Sequence, residues 1–199
     1  MGTQAKRLPR AVREQQMLDS AIAVMAENGY HGTSMDAIAR HAEISKPMLY
    51  LYYGSKEELF AACLVRESTR FIAAITERNR PADGPREMLE LTLRAVLEFV
   101  GEHRDAWRVM VREAASSGTF ADEINANRAT LVDLTAGLLK EGTTEHHDDE
   151  EFELMAVALV GAGEAVANRL VESDIDIEDA IAIVTGLAWR GLAGRKKDQ

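Results

Sequence analysis

Two short amphipathic runs separated by a tight turn, within residues 33–56, restrict this chain more than any other feature. The stretch reads Thr33-Ser34-Met35-Asp36-Ala37-Ile38-Ala39-Arg40-His41-Ala42-Glu43-Ile44-Ser45-Lys46-Pro47-Met48-Leu49-Tyr50-Leu51-Tyr52-Tyr53-Gly54-Ser55-Lys56. Thr33, with Asp36 three residues on, is expected to open one short helix in the manner of a capping box. Ser45 is expected to open the next, with Pro47 in the first turn, where a missing N–H costs little. Ile38, Ala39, Ala42, Ile44 and Leu49 have the spacing to lock the two helices across a turn at Glu43-Ile44. Ala39 is small enough for a close crossing. The outer face of the second helix then offers Ser45, Lys46, Met48, Tyr50, Leu51 and Tyr52, and such a helix can enter a DNA major groove.

The rest of the chain reads as helix after helix. A first helix over 9–28 carries Val12, Met17, Ala21, Val24 and Met25 at helical spacing, with Gly29 as its stop. Ser55 and Glu58 cap a longer helix over 56–79, where Glu57 and Glu58 suit the positive N-terminal end. The run 81–85, Pro-Ala-Asp-Gly-Pro, is the clearest break. Further helices are expected near 85–100, 104–116, 120–140, 150–172 and 177–193. The expectation is an all-α chain of about nine helices. Residues 1–56, stabilised by the start of the next helix, form the helix-turn-helix domain, and 57–199 form a second helical domain. Few prolines, few aromatics and short β-branched runs agree with this.

The net charge of −10 argues against nucleic acid until the chain is divided. Residues 1–80 hold 11 Lys/Arg and 9 Asp/Glu, a net of +2, and the remainder holds −12. One end can approach phosphate while the other stays repelled by it. The basic arm Arg7, Arg10 and Arg13 either adds DNA backbone contacts or is a solubilising tail. Cys63 is the sole cysteine, so no internal disulfide or cysteine zinc site is expected, and a reducing cytoplasm is the simplest setting. No apolar stretch is expected to approach the ~20 residues that span a bilayer. His146-His147-Asp148-Asp149-Glu150-Glu151 are consecutive, so their side chains diverge, and a solvated loop is expected rather than a metal site. No catalytic set or phosphate loop stands out, and neither enzyme activity nor a cofactor is expected.

Residues 10–65 resemble the DNA-binding domain of the tetracycline-repressor (TetR) family of bacterial regulators. The residues that carry the likeness are Ala39-Arg40-His41-Ala42-Glu43-Ile44-Ser45, Tyr50, Tyr53 and Gly54-Ser55-Lys56. Two positions depart from the family's pattern: Glu43 stands where the turn glycine is usual, and Tyr52 where a histidine is. The resemblance, taken with side-chain chemistry, makes Thr33, Tyr50, Tyr52 and Lys56 candidate phosphate contacts. Ser45, Lys46, Pro47, Met48 and Leu51 become candidates for the groove, where Lys46 can donate to guanine and Met48 or Leu51 can touch a thymine methyl.

The resemblance also implies that the acidic half holds a ligand pocket and a dimer interface. Small residues at Ala158, Gly161, Ala162, Ala165 and Ala167, with Ile181, Val184, Leu187, Ala188 and Leu192, would form half of a four-helix interface; a helix buried within the monomer is the alternative. Phe71, Ile75, Met88, Leu91, Phe99, Trp107, Met110 and Phe120 are pocket candidates, and ordinary core packing is the alternative for each. Glu164, in an apolar helix, either faces a cationic ligand or pairs with Arg169 or solvent. The function implied is a homodimeric regulator of a near-palindromic DNA operator, most simply a repressor released by a mostly apolar small molecule. An activator or dual regulator has the same sequence signature. An all-α small-molecule or lipid carrier with a vestigial helix-turn-helix is the rival from another class, and Glu43 and the overall acidity are its support.

Overall fold

A computed structural model describes residues 9–77, 83–115, 120–142, 147–173 and 175–193. Among these the helices are α1 (Arg10–Gly32), α2 (Met35–His41), α3 (Lys46–Tyr52), α4 (Lys56–Glu77), α5 (Pro85–Glu102), α6 (Arg104–Ala115), α7 (Ala121–Gly142), α8 (Asp149–Glu172) and α9 (Ile177–Ala193). The all-α expectation is met. Arg7, Pro81, Ala82, Ser117, Gly118, Thr143, Thr144, His146, Asp174 and the tail from Gly194 lie outside the described residues, as does the side chain of Leu192.

Gly29 has a φ of +71°, a conformation that L side chains avoid, and it kinks α1 so that Tyr30 to Gly32 form a last offset turn. That offset corrects one expected boundary. The cap of α2 is Ser34, whose Oγ accepts from the Ala37 N–H, and not Thr33. Thr33 is buried, and its hydroxyl donates to the Gly29 carbonyl at 2.8 Å. Ser45 and Ser55 cap α3 and α4 as expected, accepting from Met48 N and Glu58 N. The carboxylate of Glu58 turns back to accept from Gly54 N.

Three buried clusters organise the chain. The first joins Met17, Met25, Ile38, Leu49, Phe60 and Leu64 of α1–α4 to Ala106 and Val109 of α6 and to Phe120. The second gathers α5, α6, α8 and α9 around Leu97, Trp107, Leu170 and Ile181. The third is smaller, with Val132 of α7 against Ala156 and Val160 of α8. Arg66 of α4 pins α1 to α4 by reaching Asp19 at 2.7 Å and the buried carboxylate of Glu67 at 2.6 Å. Cys63 sits among these apolar groups, and burial pushes its thiol up to about 12.

One expectation about apolar length is corrected. α8 has 24 residues, with an 18-residue window of mean hydropathy 1.5, and by length and composition it could cross a membrane. A third of that window is buried inside the protein, where Ala156, Val160, Gly163, Ala167 and Leu170 pack against neighbouring helices. The one carboxylate in its middle, Glu164, is paired with Arg128 of α7.

Candidate functional site

The turn between α2 and α3 positions everything that follows. Glu43 N donates to Arg40 O at 3.2 Å and Ile44 N to Ala39 O at 3.0 Å, which closes a Schellman motif. Glu43 occupies its left-handed position, with φ +53°. The expectation of a turn at Glu43-Ile44 therefore holds, and glutamate bears the strain that glycine avoids. Gln16 of α1 donates to Ala42 O at 2.9 Å and anchors the turn from behind. Ile38, Ala39, Ala42 and Leu49 are all buried, so α2 and α3 are held as one unit.

Relief of that strain gives a first prediction. The left-handed conformation costs a non-glycine residue roughly 1–2 kcal/mol, partly offset by the extra freedom of glycine in the unfolded chain. Glu43→Gly should therefore stabilise the protein by about 0.5–1 kcal/mol. The melting temperature should rise by roughly 1–4 °C for a chain of this size. A melting point at or below the parent's would show that the glutamate side chain compensates for its own backbone.

The outer surface of α3 presents a graded set of side chains. Leu51 is 83% exposed and Tyr50 43%, while Lys46, Pro47 and Ser45 are exposed. Met48 and Tyr52 are half-buried and lean on the first core cluster. The Arg10 guanidinium stands 5.4 Å from the centre of the Tyr52 ring, which places the start of α1 beside the end of α3. Lys46 Nζ is 2.8 Å from Asp36 Oδ2 on α2.

Two candidate phosphate contacts turn inward instead. Thr33 is buried, as described above. Lys56 Nζ donates to Tyr30 O at 2.9 Å and Thr33 O at 3.0 Å, and lies 4.4 Å from the centre of the Tyr30 ring. Tyr30 in turn donates to Glu57 at 3.0 Å, and burial with that carboxylate pushes its hydroxyl up to about 12. Lys56, Tyr30 and Glu57 thus fasten the start of α4 to the end of α1.

The second feature is a cavity of about 360 Å³ in the body, between α4, α6, α7 and α8. Phe71, Ile72, Trp107, Met110, Ile124 and Leu131 give it apolar walls, and Ser68, Asn125, Asn127, Arg128, Glu164 and Asn168 give it polar ones. Trp107 Nε1 donates to Asn168 Oδ1 at 2.7 Å, and Asn127 donates to Ser68 at 2.8 Å. Arg128 Nε reaches both oxygens of Glu164, at 2.9 and 3.0 Å, so Glu164 pairs with Arg128 and not Arg169. Of the expected pocket residues, Phe71, Trp107, Met110 and Glu164 come together here.

The others lie outside this lining. Phe120 belongs to the first cluster, edge-on to Tyr30 and Phe60. Ile75 and Phe99 are buried, Phe99 stacking on His103 at 4.2 Å. Met88 and Leu91 lie half-buried on α5, away from the cavity lining. His147 points to Glu151 and Phe152, beside the start of α8.

The third feature is a set of exposed apolar residues on α8 and another on α9. Leu154 is 63% exposed, and Ala158, Ala162 and Ala165 are also exposed, with Gly161 half-buried between them. On α9, Ile183 and Leu187 are 67% and 71% exposed. Ile181 is buried in the second cluster and Val184 packs against it, so these two serve the monomer core. Ala188 is half-buried. Leu154 and Ile183 join the outward face although they were absent from the expected set.

With this geometry in view, two family models match the chain. One describes bacterial regulatory proteins of the tetR family and matches residues 17–63. The other describes a tetracyclin repressor-like C-terminal domain and matches residues 85–191. The chain is similar to a TetR-like transcriptional regulator from Rhodococcus sp. RHA1, at 53% identity and a TM-score of 0.83 over 95% of this chain and all of that one. It is 28% identical to the transcriptional activator FasR of Mycolicibacterium smegmatis over 94% of this chain and 86% of that protein. It is 27% identical to the fatty acid metabolism regulator protein of Bacillus subtilis over 64% of this chain and 66% of that protein. A structure of the Bacillus subtilis regulator FadR in complex with stearoyl-CoA has the same fold, at 22% identity and a TM-score of 0.76 over 87% of this chain and 96% of that one.

Proposed function

We propose, from the premise that this chain belongs to the tetR family of bacterial regulatory proteins, that it is a homodimeric transcriptional regulator whose grip on DNA is set by an acyl-bearing small molecule. Membership makes it a DNA-binding transcriptional regulator; the finer reading is ours. Residues 1–56 are the reading head and 57–199 the ligand-binding and dimerisation part. In the head, Lys46, Pro47, Leu51 and the half-buried Met48 face the groove, with Ser45 at the cap. Tyr50 and Tyr52 reach phosphate from the flanks of α3. Lys56 contributes mainly by fixing the frame that carries them. The partner is duplex DNA with two half-sites about one helical turn apart. The protein acts without catalysis, in the cytoplasm where such DNA lies.

The observation that carries the ligand class is the cavity. Its aromatic and aliphatic walls end at Arg128, Glu164 and three asparagines, which suits an aliphatic chain with a polar head. The fatty acid metabolism regulator protein of Bacillus subtilis, by name, points to the same chemistry. Ligand binding then moves α4, which lines the cavity and runs directly into the head. We favour repression with release by the ligand. Activation is the second reading, favoured by the activator name of FasR. The well-formed Schellman turn at Glu43 supports a working head over a vestigial one.

The test selects bound genomic fragments and then titrates stearoyl-CoA and free stearate into the complex. Either compound should weaken binding at least tenfold, and Leu131→Trp, which fills the cavity, should abolish the response while DNA binding persists. A complex indifferent to both compounds would overturn the ligand class. A reporter behind the fragment separates repression from activation.

A further inference from the structure

We propose that Asp36 is a specificity-determining residue, which steers Lys46 away from phosphate and toward the neutral acceptors of a base edge. The inference rests on the reading of α3 as the groove helix. Lys46 is the first residue of α3, and a cation there opposes the positive end of the helix dipole. Lys46 therefore adds nothing to the stability of α3 through the helix dipole. Asp36 lies in the first turn of α2, where its charge has the favourable sign. The two meet at 2.8 Å, with side chains 48% and 58% exposed, and the bond raises the affinity of the Lys46 amine for its proton. Among the described residues no other ion pair joins α2 to α3. Other charged groups on α2, the turn and beside α3 are Arg40 and His41 at the end of α2, Glu43 in the turn, and Arg10, which stands over Tyr52 and pairs with Glu14.

A phosphate that takes Lys46 must approach a carboxylate already in contact with it, and the two anions repel. Guanine O6 and N7 are neutral acceptors, so they can share the same ammonium, which has three donors, without that repulsion. Asp36 thus suppresses a contact that every duplex offers and leaves one that only some sequences offer. Specificity is the difference between those two affinities, and a built-in repulsive group raises it.

The experiment measures binding by fluorescence anisotropy to two labelled duplexes of equal length: a fragment selected by this protein from genomic DNA, and a random sequence. Four proteins are compared: the parent, Asp36→Asn, Lys46→Ala and the double variant. Asp36→Asn should bind the random duplex about eightfold tighter at 0.1 M salt, with the slope of log K against log salt steeper by about 0.9, the signature of one added phosphate contact. The selected fragment should gain less, so the ratio of the two affinities falls. With Lys46→Ala in place, Asp36→Asn should leave the slope unchanged. Equal gains on both duplexes, or the same gain with and without Lys46, would overturn the proposal, since either result means simple loss of a negative charge. A parent protein that binds no duplex at low salt would overturn the DNA-reading assignment itself, a separate outcome.

Discussion

Lys56→Met should lower the stability of this protein by about 2 kcal/mol, because two charge-assisted hydrogen bonds to backbone carbonyls are lost together. The amine bridges Tyr30 O and Thr33 O, and methionine keeps the side-chain bulk but has no donor for either oxygen. The ammonium over the Tyr30 ring is lost as well. For a chain of this size the melting point should fall by roughly 4–8 °C. DNA binding should weaken on every sequence alike, since the clasp that holds the start of α4 to the end of α1, just ahead of α2, is loosened rather than a base contact removed. A melting point within about 1 °C of the parent's would show that water replaces the amine at no cost, and would end the case for Lys56 as a strut.

The largest effect on DNA binding should come from a site far from DNA. Ile183→Glu places a carboxylate on the apolar face of α8 and α9, beside Leu187. In a dimer built on that face, the charge is desolvated without a partner. Sedimentation should then report a monomer. Affinity for a two-half-site operator should fall by about 10²–10⁴, because the second head no longer binds as part of the same molecule. Ala165→Trp, on the exposed stripe of α8, should act in the same direction by preventing close approach. An unchanged dimer mass for both variants would move the interface elsewhere.

How far the sequence alone reaches differs between these regions. In the reading head, short-range spacing decides nearly everything: Ile38, Ala39, Ala42 and Leu49 fall inside and Lys46, Pro47 and Leu51 outside because one turn fixes both helices. The cap at Ser34 is missed by one residue because Thr33 and Ser34 are both good caps, and the choice depends on the kink at Gly29. In the body, pocket and core have the same chemistry. Phe71 lines the cavity while Phe120 joins the head core, and nothing local in either segment marks the difference. The partner of Glu164 is 36 residues away, on a different helix. On α9 almost every position is apolar, so no periodicity tells buried Ile181 from exposed Ile183, and the outward register emerges only from packing.

α6 has a property that follows from its place between two of the buried clusters. Val109 lies in the core shared with α1–α4, while the adjacent Met110 and, one turn back, Trp107 line the cavity. Arg108 ties the same helix to the Val171 carbonyl of α8. This helix is a partition with the α1–α4 core on one side and the cavity on the other. A partition cannot shift for one room and stay still for the other, so any displacement of α6 from the cavity side reaches the core of α1–α4.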